Sequence, residues 1–366
     1  MSEKIAVIFG GVSNENEISV ITGTMVANLL KGTHFEPVPV YIAQNGDIYG
    51  GQLLFDIKNF KGESYKKAPK AAIFDGGIRM LTKRGKIKKV IPISGAINCC
   101  HGGAGEGGGL FGLCELAGIP LAGAGIFESS AFMDKYLTKI VLQGLGVKTC
   151  EFKYVTSAQK CDWGGNMPQF PLIVKPVNLG SSIGVERVDN VMELEDALKT
   201  ALVYDSGAIV EKYIENRREI NCAAYFYKGE VITSECEEAL SKGGILSFED
   251  KYQGGGERVF PANLPHTMSQ LIKNITKNVY ASLNMRGIVR FDFILSGEEV
   301  YLSEVNTVPG SLSYYLLSAG FKDFYTVLER IIVQAQNDFK SRHSKKLLHT
   351  GILESIPESR GKLGAK

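Results

Sequence analysis

Apolar and polar positions change period several times along the chain, and each change marks an element. The apolar run from residue 4 to 9 stops at Gly10-Gly11 and gives way to a helix-like stretch from Glu15 to about Lys31. Strand, glycine turn and helix in that order predict the opening of an α/β sheet. A second apolar run, Ala96 to Cys100, ends in HGGAGEGGG; between the two, from about 45 to 90, turn residues and lysines obscure any period. From about residue 126 the rhythm becomes mixed. ESSAFMDKYLTKIVLQGLG predicts helix, PLIVKP a short buried strand, and NVMELEDALKTAL a helix opened by an Asn190-to-Glu193 capping box. AIVEKYI and NCAAYFYKGEVITS predict strands, the second a hairpin turning at Lys228-Gly229. Thr267 to Gln270 reads as another capping box, and Met268, Leu271, Ile272, Ile275 and Val279 put one apolar stripe on the helix that follows. Beyond about Phe339 the chain turns basic and uneven, which predicts a loosely held tail.

Composition narrows the class. A chain of 366 residues with 44% hydrophobic content can fill two or three cores. Its 41 basic and 39 acidic residues nearly cancel, which argues against a nucleic-acid binder and for small-molecule chemistry. Seven cysteines without a CxxC pair predict reduced, mostly buried thiols and a cytoplasmic protein. The N-terminus is too short for a signal-peptide core and no apolar stretch reaches bilayer length, so neither secretion nor membrane insertion is expected.

The chemistry concentrates near the C-terminal end. GIVRFDFIL and VYLSEVN flank Ser296-Gly297-Glu298-Glu299, the pattern of an antiparallel hairpin centred near Glu298. Counting from that centre sets Asp292 opposite Glu304 and Arg290 opposite Asn306, all four on one face. Opposed carboxylates repel, and a hard divalent cation such as Mg²⁺ compensates them naturally. Asn306 can add a neutral oxygen, Arg290 can hold a phosphoryl group or anionic intermediate, and Pro309-Gly310 frees a backbone approach. The flanking Ile288, Phe291, Phe293 and Leu302 predict burial on both faces of the hairpin. A solvated hairpin whose charges face water is the alternative.

Phosphates need a further device. No GxxxxGK[ST] occurs, and IFGG does not continue into GxGxxG. IVKPVNLGSSIGV supplies Lys175 from a buried strand and a Gly180-Ser181-Ser182-Ile183-Gly184 loop with free N–H groups and hydroxyls.

In order, GGVSNENEIS, HGGAGEGG, MDKYLTK, VKPVNLGSSIGV, VEKYI, EDKYQG, RFDF and EVNTVPG resemble the D-alanine:D-alanine ligases of the ATP-grasp superfamily, over roughly residues 4 to 335. The resemblance implies a three-domain α/β and α+β fold: an N-terminal α/β domain (1–125), a central lid (126–220) and a C-terminal catalytic domain (221–340), with 341–366 as the tail. It implies ATP and Mg²⁺, two ions, with Mn²⁺ as an alternative, and a homodimer acting on small molecules. Residue by residue it assigns Lys135, Lys175, Ser182 and Lys251 to ATP phosphates, Glu211, Lys212 and Ile214 to the adenine, and Glu219 to the ribose. Asp292, Glu304 and Asn306 become the metal ligands. Arg290 and the Gly310 N–H stabilise the acyl phosphate and the tetrahedral intermediate. Glu15 takes the ammonium of the first amino acid, His101 lies near its carboxylate, and Ser181 and Tyr252 complete the set joined to Glu15. Loops 180–184 and 245–256 would form the lid that keeps water from the intermediate.

Two departures stand out. GEGGGLFG has Gly107 and Phe111 where the family has aspartate and glutamine. Tyr315 stands where the family places the serine that binds the second amino acid's carboxylate, leaving Ser311 or Ser313 as substitutes. The expected reaction is therefore D-alanine:D-alanine ligation for peptidoglycan precursors. The alternatives are the same chemistry with D-serine, D-lactate or another amine as acceptor, or a nucleotide-binding protein that has lost catalysis.

Overall fold

The computed structural model describes residues 2–156, 169–240 and 257–355. The N-terminal apolar runs become parallel strands because each is buried on both sides. β1 (Glu3–Gly10), β2 (Phe35–Ile42), β3 (Ile48–Gly50), β7 (Gly95–Cys99) and β8 (Leu121–Ala122) form one sheet in the order β3-β2-β1-β7-β8. Only the β2–β3 pairing is antiparallel. Helix α1 (Asn16–Leu29) packs on this sheet so closely that a Cβ at Gly23 would fall inside the Phe9 ring. The stretch without a period holds a small antiparallel sheet of its own, β4 (Ala71–Phe74), β5 (Gly77–Leu81) and β6 (Ile87–Pro92). Short α2 (Gly103–Glu106) and α3 (Gly109–Leu116) follow the histidine loop.

The sequence expectation of one helix after residue 126 resolves into two. α4 (Ile126–Met133) stops at Asp134, whose extended backbone and side-chain bond to the Leu137 N–H cap α5 (Lys135–Gly144). Antiparallel strands β9 (Phe152–Thr156), β10 (Leu172–Pro176), β11 (Glu186–Val188) and β12 (Gly207–Lys212) build the central sheet in the order β11-β10-β12-β9. It is backed by α6 (Val191–Tyr204), with Asn190 accepting the Glu193 N–H at 3.0 Å as expected.

The third sheet contains β13 (Arg218–Tyr227), β14 (Glu230–Thr233), β15 (Glu237–Leu240), β16 (Glu257–Val259), β17 (Val289–Ser296) and β18 (Glu299–Asn306). The hairpin at Lys228-Gly229 forms as expected, both residues having the positive φ that a tight turn demands. Helix α7 (His266–Ser282) begins at Pro265 without a side-chain cap, so the expected Thr267–Gln270 box is absent: Thr267 already lies inside the helix. Ile272 and Val279 are fully buried, but Leu271 is exposed, so the apolar stripe is narrower than expected. After α8 (Tyr314–Leu317), α9 (Phe324–His343) docks beside β7 and β8. It runs past Phe339, where the uneven basic tail was expected to begin, and near its end Arg342 pairs with Glu115 at 2.9 Å. No described helix is long and apolar enough to cross a membrane, and the six described cysteines are all free and buried.

Candidate active site

Strands β17 and β18 set Arg290 opposite Asn306 and Asp292 opposite Glu304, the pairing that residue counting predicts. The route is different. The turn is the two-residue Gly297-Glu298, closed by Ser296 against Glu299, and the register then slips by one beyond Asp292, leaving Ser303 as the extra residue of a β-bulge. The expected burial is found, with Ile288 in one core and Phe291, Phe293 and Leu302 in another, and the slip decides which side Leu302 takes. Strict alternation would put Leu302 on the same side as Glu304, yet Phe291, Phe293 and Leu302 share one core. Arg290, Asp292, Glu304 and Asn306 face the cavity instead.

Asp292 accepts two hydrogen bonds from Arg290, at 2.7 and 2.8 Å, and one from the Asn306 amide at 2.9 Å. The guanidinium therefore supplies the compensation that the opposed carboxylates require. The donor set also fits Mg²⁺: two carboxylates meet across a strand pair, and Asn306 presents its oxygen once the amide turns over.

The central sheet forms the facing wall. Lys175 on β10 and Glu211 on β12 meet Lys139, one turn beyond Lys135 on α5. The Glu211 oxygens lie 2.6 Å from the Lys139 ammonium and 2.8 Å from that of Lys175. Burial by itself would raise the Glu211 pKa, but the two ammoniums overcome it and hold the carboxyl down at about 2. For Lys175, burial pulls the pKa down while Glu211 and Glu304 more than reverse it, so it is raised. Lys135 is lowered by burial, partly offset by Glu304, and donates to the Leu179 carbonyl. Lys139 was missed in the sequence; its i, i+4 spacing from Lys135 was the available signal. Lys175, Lys135, Ser182 and Glu219 line the cavity, whereas Glu211, Lys212 and Ile214, expected at the adenine, do not. The Glu211 side chain is committed to the two lysines.

The N-terminal wall is built around Glu15. Ser181 donates to its carboxylate, and the space around it is narrow, since a Cβ at Gly102 or Gly180 would sit 2.8 Å from the same oxygens and displace the Glu15 side chain. His101 is buried and 2.8 Å from the Thr22 hydroxyl, and burial lowers its pKa to about 4, so it serves as a neutral hydrogen-bonding group. Glu106 was not singled out from the sequence, although it is the one charge in the glycine run. Its partly open surface faces the cavity, and burial followed by Glu15 raises its pKa to about 7. Of the two departures in that loop, Gly107 ends α2 and Phe111 is buried against the Arg286 and Arg342 guanidiniums. Beyond Gly310, the Ser311 N–H donates to Thr22 at 3.1 Å, and Ser311, Leu312 and Ser313 all take left-handed backbone angles. Ser311 and Tyr315 line the cavity; Ser313 is fully buried and does not, which removes it as a stand-in for the missing serine. Lys251 and Tyr252 lie outside the described residues.

The three walls enclose a cavity of about 430 Å³. A more open cleft of about 660 Å³ lies across the 178–180 backbone and shares Glu15 and Gly180, but it is lined by none of Lys135, Lys175, Asp292 or Glu304. Lys175 on an antiparallel sheet and Lys135 on the helix before it, facing paired carboxylates on a second sheet beside an α/β domain, match an ATP-grasp fold and an ATP-dependent carboxylate–amine ligase. Residues 4–124 match the family profile described as D-ala D-ala ligase N-terminus, and 141–333 match D-ala D-ala ligase C-terminus. The D-alanine--D-alanine ligase of Thermosipho melanesiensis is 35% identical over 92% of this chain and 95% of its own length. The crystal structure of the D-alanine-D-alanine ligase from Helicobacter pylori superposes with a TM-score of 0.77 at 31% identity, covering 91% of this chain and 98% of that one. The VanG D-Ala:D-Ser ligase from Enterococcus faecalis also gives 0.77, at 26% identity, over 92% of this chain and 100% of that one. The chain belongs to the D-alanine–D-alanine ligase family.

Proposed function

We propose that this enzyme joins two D-alanines with consumption of ATP, making the dipeptide used in peptidoglycan precursors. The observation that supports it best is the single cavity in which Lys135, Lys175, Glu15 and the Asp292–Glu304 pair converge. The γ-phosphoryl group passes to the carboxylate of the first D-alanine, giving an acyl phosphate and ADP. The amine of the second attacks that carbonyl, phosphate leaves, and the amide forms. Lys135, Lys175, Ser182 and Lys251 hold the phosphates, with Glu211 fixing Lys175 in place. Glu219 takes the ribose, and the backbone from Lys212 to Ile214 is left for the adenine. Asp292, Glu304 and Asn306 would hold Mg²⁺, two ions, with Mn²⁺ as an alternative, which would supply neutralisation of phosphate charge. Glu15, backed by Ser181 and Tyr252, takes the first ammonium; His101 lies near that carboxylate. Arg290 and the Gly310 N–H meet the developing oxyanion. A homodimer through the N-terminal domain accompanies this reading, supported by the exposed Leu113 and Leu116 of α3 and tested by light scattering.

Phosphate release from ATP that requires both Mg²⁺ and D-alanine is the expected result; turnover indifferent to every amino acid offered rejects the ligase reading. Tyr315 in the cavity wall favours one second reading, a changed acceptor such as D-serine, D-lactate or another amine. Mass spectrometry of products, with D-alanine as donor and the acceptor varied, separates the two.

A further inference from the structure

We propose that Arg258 and Tyr315 together read the carboxylate of the second substrate, so that the acceptor is a small α-amino acid and not a simple amine; this rests on the ligase reading above. Both side chains line the cavity beside Gly310 and Ser311. The Arg258 guanidinium lies over the Tyr315 ring, 4.7 Å from its centre. The cavity is rich in carboxylates, and an acceptor bearing another needs a cation whose charge is not already consumed. The other arginines of the wall are tightly held: Arg217 lies 2.9 Å from Glu219, and Arg290 grips Asp292 with two bonds. Arg258 is held only loosely, 3.5 Å from Glu237, with 56% of its side chain exposed. It is anchored at one edge by a buried acid and open at the other.

Tyr315 supplies the second donor. Its oxygen is 3.5 Å from an Arg290 nitrogen, which leaves the O–H to point elsewhere. Burial pushes the phenol's pKa up, so it stays protonated. A guanidinium and a protonated phenol side by side make a charge-assisted carboxylate site, and the ring fills space that a longer acceptor side chain would need.

The test uses the full-length enzyme with ATP, Mg²⁺ and D-alanine as donor, and equal concentrations of D-alanine and D-alaninamide as competing acceptors, with both products measured by mass spectrometry. Wild type favours the acid product at least about tenfold. Arg258→Met keeps an apolar arm over the ring but loses the charge. It lowers that preference by about tenfold and raises the acceptor KM similarly, with the KM for ATP and the melting temperature unchanged; Arg258→Lys restores part of it. Tyr315→Phe raises the acceptor KM severalfold, by about the worth of one hydrogen bond. Wild type accepting the amide as readily as the acid, or Arg258→Met retaining the preference, overturns the inference and leaves the ligase intact. Failure of wild type to use D-alanine at all rejects the ligase reading and this inference with it.

Discussion

The two walls of the cavity handle buried charge in opposite ways. On the central sheet, Glu211 is locked between Lys139 and Lys175 and nearly removed from solvent, so both of its carboxylate oxygens are paired before any ligand arrives. On the C-terminal hairpin, Asp292 and Glu304 face one another half-buried, and Arg290 and Asn306 hold Asp292 through contacts that a cation can replace. The first arrangement fixes a lysine in space; the second keeps a site whose partners can be exchanged. A site that must bind, react and release needs both, because a wholly locked cavity would resist rearrangement and a wholly loose one would not align the phosphates.

The sharpest way to break the contrast is Glu211→Ala, which leaves two buried ammoniums without their shared partner. Removing one side of a buried pair costs about 3–5 kcal/mol, so chemical denaturation should show a loss of that size. Lys139→Met, which leaves a one-to-one Glu211–Lys175 pair, should cost clearly less. Equal losses would mean the triad is not a unit.

On the exchangeable wall the expected effect falls on activity. Asn306→Leu should reduce Mg²⁺-dependent phosphate release about 10–100-fold with a melting temperature close to wild type. Unchanged turnover would remove Asn306 from the metal site.

The N-terminal wall sharpens the comparison through pH. His101, pushed by burial from 6.5 to about 4, is fully stabilising above pH 6.5 and loses that contribution as pH falls toward 4, because the unfolded chain takes the proton first. Glu106, raised from 4.5 to about 7, acts in the opposite sense: its contribution is complete below pH 4.5 and is lost as pH rises through 7. The two offset one another in wild type. Glu106→Gln should therefore gain stability more steeply than wild type between about pH 5 and 7, read from urea midpoints. Parallel curves would place Glu106 in an ordinary solvated setting.

The smallest effect is at the hairpin turn. Gly297 has φ +59 with open space around it, so Gly297→Ala should cost about 1–2 kcal/mol and leave kcat unchanged. A changed kcat would show that the turn transmits strain to Asp292.

Part of the hairpin was legible from residue types and counting, but the count reached the Asp292–Glu304 pairing from a centre half a residue too late, an offset that the bulge happens to cancel. The bulge at Ser303 was not, since a serine in a strand carries no local sign of being unpaired; it is the mismatch between Leu302 and Glu304 that demands it. The Asn190 cap was legible as a local hydrogen bond, while the Thr267 box failed because Pro265, two residues earlier, already supplies a helix start. Lys139 reads as one more helix lysine until the central sheet brings Glu211 over it. Arg258 was invisible for a similar reason: only the β15–β16 pairing carries it to Tyr315.

The single unpaired serine at position 303 also sets a limit on how this enzyme can be altered. A residue inserted opposite it, between Asp292 and Phe293, would pair it and give an unbroken ladder from Ser296 to Asn306; Leu302 and Glu304 would then share a face, and the strand could either seal its oily side or aim its acids into the cavity, but not both. Insertions elsewhere in these loops change a length; at this position one would change which half of the hairpin still works.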